Sequence, residues 1–272
     1  MTWWQGLIVF FAGIWAGTIN AIVGSGTLVT FPVLVALGFP PVTATTSNAV
    51  GLAPGTVSGA VGYRHELKGQ ARRLVRYSVP SAIGAGCGTV LLLLLPHNTF
   101  EIVVPVLVGL AVVLVVVQPR VSVLVARRRD LEPEREVMVK AGARSGSVEG
   151  GGGAADGGPL LLFLLFLIGI YGGYFTAAQG VMMMGVMGML LTDSMQRLNG
   201  IKNVLAAVVN VIAGIVYAFV APVSWPVIGL LAVGSTLGGQ LGAKIGRRLP
   251  PTVLRGVIVV VGVAAIVQLL LR

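Results

Sequence analysis

Charged residues are scarce in this sequence. Asp, Glu, Lys and Arg make up 10% of its 272 residues, and from Met1 to Tyr63 there is no charged residue and no histidine. A water-soluble protein carries about a quarter of its residues as charges, so the composition excludes an ordinary soluble domain. A single cysteine, Cys87, excludes an intramolecular disulfide and a cluster of thiolate metal ligands.

Catalytic and cofactor-binding motifs are also lacking. The sequence has no HExxH, GxSxG or P-loop pattern, and its two histidines, His65 and His97, stand apart from each other. Five methionines between positions 182 and 189 are interpreted as flexible filler for irregular gaps between helices. We therefore expect no enzyme activity, no cofactor and no metal site.

Apolar residues, by contrast, are abundant: 56% of the chain is hydrophobic. They form blocks with no charged residue or a single one, several of them close to the roughly 20 residues that cross a bilayer, at 6–37, 42–62, 77–95, 100–118, 159–192, 198–219, 226–243 and 253–271. This pattern predicts an all-α polytopic membrane protein. The start MTWWQG lacks the basic residues of a cleavable signal peptide, so we expect Trp3 and Trp4 to lie at the membrane interface.

A polar segment divides the blocks into two groups of four. Residues 120–158 hold seven Lys or Arg, six Asp or Glu and a glycine tract, which predicts a solvated, flexible linker. We expect a first transmembrane repeat at 1–119 and a second at 159–272.

The two groups resemble each other in sequence. Six pairs of identical residues recur in order at a nearly constant separation: Asn48 and Asn203, Gly17 and Gly172, Gly59 and Gly214, Gly84 and Gly238, Gly88 and Gly242, and Pro96 and Pro250. The sequence therefore predicts an internal duplication.

Basic residues predict that the two repeats have opposite orientations. The loop at 64–76 holds five Lys or Arg, whereas its counterpart at 218–226 holds none; the turn at 96–100 has none, whereas its counterpart holds Lys244, Arg247, Arg248 and Arg255. Short basic loops stay in the cytoplasm. We therefore expect inverted-topology repeats, a cytoplasmic linker and both chain ends outside. The net charge of +10 is then explained by basic residues that set the orientation of the helices, and we expect no nucleic-acid partner.

The first block of each half is too long for one span and too short for two. Glycine or small residues interrupt these blocks at 23–26 and at 177–180. We expect each block to form a broken or hairpin segment, followed by three transmembrane helices.

These breaks predict a substrate site, because unwound backbone within a membrane is tolerated where it is covered by protein or lines a polar cavity. Helix starts at a break offer free N–H groups and a positive dipole end, which suit an anion. The candidate substrate-binding residues are Asn20, Ser25, Thr46, Ser47, Asn48, Gln179, Lys202 and Asn203. Helix packing is the alternative role for the polar residues, and a topology signal is the alternative role for Lys202.

Three stretches carry a family resemblance: AGTINAIVGSGTLVTFPVLVALGFPPVTATTSNAV, GGYFTAAQGVMMMG and LNGIKNVLAAVVN. With them the chain resembles the sulfite exporter TauE/SafE family along nearly its whole length outside the linker. The resemblance implies a permease of the bacterial inner membrane. It also implies a substrate among sulfur-containing anions and small organic acids.

The expected function is therefore a secondary transporter that exports a small anion, a sulfur-containing oxyanion or organosulfonate. The alternatives are a passive anion channel and a membrane subunit of a sulfur-handling complex; a sulfur relay in such a complex would require Cys87. The expected partners are the anionic substrate and the lipid bilayer, and a homo-oligomer is left open.

Overall fold

A computed structural model describes residues 1–95, 103–117 and 157–245, and within these ranges the chain forms helices and no strands. The helices are α1 (Trp3–Ile22), α2 (Thr27–Ala36), α3 (Pro41–Gly62), α4 (Ala71–Leu94), α5 (Val103–Val117), α6 (Gly158–Phe175), α7 (Gln179–Leu190), α8 (Met195–Val220) and α9 (Trp225–Ile245). The linker predicted at 120–158, except its last two residues, and the block predicted at 253–271 lie outside the described residues.

Five of the described helices, α1, α4, α6, α8 and α9, are long and apolar enough to cross a membrane. Helix α3 has 22 residues but is more polar, and α2, α5 and α7 are apolar but shorter. Large apolar side chains remain exposed on the outside of the helices, among them Trp3, Leu94 and Phe219. Such surfaces mark contact with lipid or another protein, and together with the five long apolar helices they indicate a multi-pass membrane protein.

Both predicted breaks separate two helices. Helix α1 ends at Ile22 and α2 begins at Thr27, while α6 ends at Phe175 and α7 begins at Gln179. The second break therefore lies at 176–178, slightly before the predicted 177–180, because Gln179 already belongs to α7.

The backbone leaves the right-handed helical region at both breaks. Gly24 has φ +89°, and Thr176 and Ala178 have φ 53° and 56°. The left-handed region costs a residue with a side chain about 1–2 kcal/mol. Such strain persists where the surrounding structure holds it in place and is common at functional sites.

Each half packs its first helix against a helix of the other half: α1 lies along α9, and α6 lies along α4. The backbones touch in both pairs. A methyl group added to Gly17 would come within 2.3 Å of the Ser235 carbonyl oxygen, and one added to Gly173 within 2.2 Å of the Ala85 carbonyl oxygen. Small residues permit this close approach, which is how transmembrane helices associate.

The contacts pair the glycines of the two halves differently from the sequence comparison. A methyl group on Gly84 would meet the Phe166 carbonyl oxygen, and one on Gly234 would meet the Phe10 carbonyl oxygen. Because α1 and α6 correspond, Gly84 occupies the place of Gly234, not that of Gly238. The reason is a difference in loop length, because the α3–α4 connection is longer than the α8–α9 connection. After these loops, equivalent residues of the two halves are therefore no longer separated by the same number of positions as before them.

Candidate functional site

The two breaks cross at Gly24 and Gly180. The Gly180 amide donates a hydrogen bond to the Gly24 carbonyl oxygen at 3.1 Å. A methyl group added to either glycine would lie 2.5 Å from the Cα atom of the other. The crossing is therefore a contact between two backbones, and no other residue type fits it.

Buried hydroxyl groups join the breaks on one side of the crossing. The Thr27 and Thr176 hydroxyl oxygens lie 3.0 Å apart, one from each break. Asn48 of α3 donates from Nδ2 to the Thr27 hydroxyl at 3.1 Å, and its Oδ1 accepts a hydrogen bond from the Thr30 hydroxyl. A continuous polar network thus links α2, α3 and the second break.

The polar groups near the breaks that are buried without a partner include one from Gln179 and one from Ser25. Gln179, the first residue of α7, donates from Nε2 to Asn210 Oδ1 at 3.0 Å, but its Oε1 makes no hydrogen bond. The Ser25 hydroxyl in the first break is also unpartnered, and both residues are 1% exposed. An unsatisfied buried polar group costs about 1–3 kcal/mol, so both groups have hydrogen-bonding capacity that the described residues do not use.

Three side chains of α8 converge on the end of α1. The Ala21 carbonyl oxygen accepts hydrogen bonds from Asn199 Nδ2 at 3.3 Å, Lys202 Nζ at 3.2 Å and Asn203 Nδ2 at 3.1 Å. Lys202 Nζ also donates to the Asn20 carbonyl oxygen at 3.2 Å. The last carbonyl groups of a helix lack partners within it and form the negative end of its dipole. Helix α8 therefore caps α1 next to the first break.

Lys202 is fully buried in this position. Within the described part of the chain its ammonium group makes no ion pair, and its hydrogen-bonding partners are the two carbonyl oxygens at the end of α1. An ammonium group has three donor hydrogens, so one remains available. A buried charge without a counterion is costly unless hydrogen bonds or a ligand compensate it.

The structure brings six of the eight predicted site residues to the breaks. Ser25, Asn48 and Gln179 lie around the crossing, and Asn20, Lys202 and Asn203 lie at the end of α1. Asn20 contributes its backbone carbonyl oxygen.

Thr46 and Ser47 are not brought to the crossing. The Thr46 hydroxyl donates to the Pro222 carbonyl oxygen at 2.7 Å, and the Ser47 hydroxyl accepts from the Ser224 amide at 2.8 Å. Both therefore fasten the start of α3 to the α8–α9 loop. Neighbouring helical residues point in directions about 100° apart, so Asn48 faces the breaks whereas these two do not.

The eight predicted site residues do not include five polar residues that the contacts bring to the breaks: Thr27, Thr30, Thr176, Asn199 and Asn210. A signal for two of them is present. Asn199, Asn203 and Asn210 recur along α8 at spacings of one and then two helical turns, which places their side chains on one face. Thr176 carries no such signal, because its role depends on the left-handed backbone of the second break.

Comparison with known proteins places this architecture in a family. The family described as sulfite exporter TauE/SafE matches residues 9–269. Among curated relatives, the probable membrane transporter protein ORF9 of Sinorhizobium sp is 23% identical over 262 residues, 96% of this chain and 91% of the relative. A probable membrane transporter protein of Haemophilus influenzae is 22% identical, over 93% of this chain and 89% of the relative.

The probable membrane transporter protein YfcA of Escherichia coli K12 is 21% identical over 97% of this chain and 88% of the relative. No solved structure gives a significant match. The family match extends over nearly the whole chain, including both breaks and every candidate site residue. The chain therefore belongs to the sulfite exporter TauE/SafE family.

Proposed function

We propose that this membrane transporter is a secondary permease that exports a small anion through a site between the two breaks. The substrate class is a sulfur-containing oxyanion or an organosulfonate. The observation that carries the proposal is the crossing of Gly24 and Gly180 within a buried set of hydroxyl and amide groups. Such a site lies in the bacterial inner membrane, and the linker at 120–158 lies in the cytoplasm.

The chemistry around the crossing suits an anion. Helices α2 and α7 both begin there, and no side chain caps either start. Their first N–H groups and positive dipole ends attract an oxyanion, as helix starts do in other anion sites. The Ser25 hydroxyl supplies a further donor. A joint flip of the paired amides of Gln179 and Asn210 would turn the Gln179 Nε2 group into another.

Lys202 supplies the positive charge in this proposal. Its third donor hydrogen is available to a substrate oxygen, while the two carbonyl bonds hold the side chain beside the first break. Asn203 shares the Ala21 carbonyl oxygen and sustains the cap of α1 if Lys202 turns toward the substrate.

Transport requires the crossing to open, because the backbone contact between Gly24 and Gly180 leaves no space for a ligand. We infer that one repeat moves against the other, as in transporters built from inverted repeats. The reciprocal packing of α1 on α9 and of α6 on α4 supports such a pair of repeats. Thr46 and Ser47 then hold the α8–α9 loop closed in one of the alternating states.

Export needs no coupling ion. An inside-negative potential drives a singly charged anion outward with about 2.3 kcal/mol per 100 mV, and a doubly charged one with about twice that. Glu101, at the start of the block 100–118, is the one Asp, Glu or His in the apolar blocks of the sequence, so these blocks offer no chain of groups for a proton relay within the membrane.

Efflux from liposomes tests the proposal. Purified protein is reconstituted, the liposomes are loaded with sulfite, sulfate, thiosulfate or a sulfonate, and efflux is followed under an imposed inside-negative potential. We expect saturable efflux of one anion, lost in Asn48→Ala and Asn203→Ala and retained in Cys87→Ala, whose side chain is exposed on α4. Absence of efflux for every anion would refute the proposal. Efflux without saturation or counterflow would indicate a passive channel, and loss in Cys87→Ala would favour a sulfur relay.

A further inference from the structure

A cleft lined by four arginines lies at the start of α4, away from the breaks. It has a volume of about 760 Å³, and its arginines are Arg72, Arg73, Arg76 and Arg197. The first three belong to the opening turns of α4 in the first half, whereas Arg197 belongs to α8 in the second half. The two halves thus contribute positive charge to one concave surface.

Among the described residues that line this cleft, Asp193 is the one acidic residue, and two arginines bind it. Arg73 Nη1 lies 2.5 Å from Asp193 Oδ2, and Arg197 Nη1 lies 3.3 Å from Asp193 Oδ1. Arg73 is held further by Tyr77, whose hydroxyl oxygen accepts from Nε at 2.8 Å and whose ring centre lies 5.5 Å from the guanidinium carbon. Arg73 and Asp193 therefore form a fixed wall, and the described residues that line the cleft include four arginines and one carboxylate.

The backbone adds to this positive potential. The first turn of α4 contains no acidic residue, and Gln70 at its N-cap makes no side-chain capping bond. Arginines at a helix start oppose the helix dipole, so their placement raises the potential in the cleft. A topology signal alone requires basic residues anywhere in the loop; it does not require them to converge from both halves.

We propose that this cleft is the first binding site of the transported anion, where a small oxyanion such as sulfate binds before it reaches the crossing. This inference rests on the proposed function and adds a second site to it. Guanidinium groups match the planar geometry of oxyanion oxygens and form charge-assisted hydrogen bonds with them.

Helix α7 connects the cleft with the crossing. It begins at Gln179 beside Gly24 and ends at Leu190, just before Thr192 and Asp193 in the cleft wall. Its 12 residues correspond to a distance of about 18 Å. A movement of the α7–α8 loop when an anion binds is therefore transmitted along one helix to the second break.

The start of α3 and the start of α4 differ in charge, and this difference favours transport of an anion in one direction. At the start of α3, neutral groups seal the surface, where Thr46 and Ser47 bind the α8–α9 loop. At the start of α4, the surface is open and basic. An anion is concentrated at the basic end before transport and is not retained at the neutral end after release.

Binding of radiolabelled sulfate to the full-length protein in phosphatidylcholine nanodiscs tests the inference. The variants are Arg72→Gln and Arg197→Gln, and the matched control is Lys68→Gln, which removes one charge from the α3–α4 loop without lining the cleft. We expect each arginine variant to weaken binding about three- to tenfold, as expected for one partly exposed charge-assisted contact. Lys68→Gln should change it less than twofold. Equal effects in all three variants, or no effect in any, would overturn the inference.

A second arm separates a free anion from a lipid headgroup. The same variants are compared in nanodiscs that also contain phosphatidylglycerol, and the bound lipid is quantified after purification. If the arginines retain phosphatidylglycerol but the protein binds no sulfate in phosphatidylcholine, the cleft is a lipid site and the inference fails.

Flux measurements distinguish failure of this inference from failure of the proposed function. We expect Arg72→Gln to raise the KM of efflux with kcat nearly unchanged, because the crossing is intact. Arginine-dependent sulfate binding without efflux of any anion would leave the cleft site standing and refute transport. Efflux with an unchanged KM in both arginine variants would refute the cleft site and leave the proposed transport function standing.

Discussion

Gly24 and Gly180 touch backbone to backbone, with the Gly180 amide 3.1 Å from the Gly24 carbonyl oxygen. This one contact joins the two broken segments of the chain next to the starts of α2 and α7. The polar residues of the candidate site are arranged around it. Four predictions follow the contacts outward from this crossing.

The Gly24→Ala variant should be destabilised and inactive in transport. Its methyl group would lie 2.5 Å from the Gly180 Cα atom, in a residue with φ +89°. Gly38 provides a matched control, since it has φ +94° but no atom within 4 Å of an added methyl group. We expect Gly38→Ala to lose only the cost of a left-handed backbone at alanine, about 1–2 kcal/mol of unfolding free energy, and Gly24→Ala to lose clearly more. Thermal unfolding in detergent measures the difference, and equal midpoints would contradict the close contact.

The α1–α9 contact should depend on Gly238. A methyl group there would come within 2.0 Å of the Ile14 carbonyl oxygen, whereas one on Gly229 of the same helix would meet nothing within 4 Å. We expect Gly238→Ala to destabilise the protein by about 1–3 kcal/mol, as overpacking does. Gly229→Ala should be neutral or slightly stabilising, because alanine favours helix more than glycine does. Thermal unfolding of both variants is the measurement, and a stable Gly238→Ala protein would argue against the packing described.

The Lys202→Met variant should lose transport activity without a comparable loss of stability. The change removes a buried charge, which is costly to desolvate, and Asn199 and Asn203 still donate to the Ala21 carbonyl oxygen. The unfolding temperature should therefore fall little. Efflux should fall at least about tenfold if Lys202 supplies the charge that binds the substrate, since hydrogen bonds to charged groups contribute about 1.5–3 kcal/mol. Retained efflux in a folded Lys202→Met protein would reduce Lys202 to a cap of α1.

The effects of substitutions at Gln179 and Asn210 on the free energy of unfolding should not be independent. Each single change, Gln179→Leu or Asn210→Leu, leaves the other amide buried without its 3.0 Å hydrogen bond, which costs about 1–3 kcal/mol. The double variant removes both polar groups and should recover much of that loss, so the free energies will not add. Transport should remain low in the double variant, because Gln179 is proposed to bind the substrate. A fully active double variant would exclude that role.

Much of the fold was predictable because the bilayer imposes strict lengths on helices. Apolar blocks near 20 residues correspond to α4, α8 and α9. The two longer blocks revealed both breaks, with α1 and α2 in the first and α6 and α7 in the second. The pairing of Gly84 with Gly238 was wrong, because a constant separation ignores the longer α3–α4 loop.

The site was predictable in part. Asn48 and Gln179 stood near breaks and were identified, but Thr46 and Ser47 precede Asn48 directly and face elsewhere. Pattern alone did not separate these neighbours, because α3 is buried on several sides and its polar residues do not mark a single face.

The sequence by itself determined that this protein lies in a membrane, where its helices break and which residue types are available there. Hydrophobicity, helix length and the exceptional cost of glycine and proline in helices act locally, and each can be read along the chain. Only the tertiary structure decided that Lys202 meets the end of α1 and that Gly24 meets Gly180. Those contacts join residues far apart in sequence, and they depend on which helix faces another, a choice made by packing between backbones.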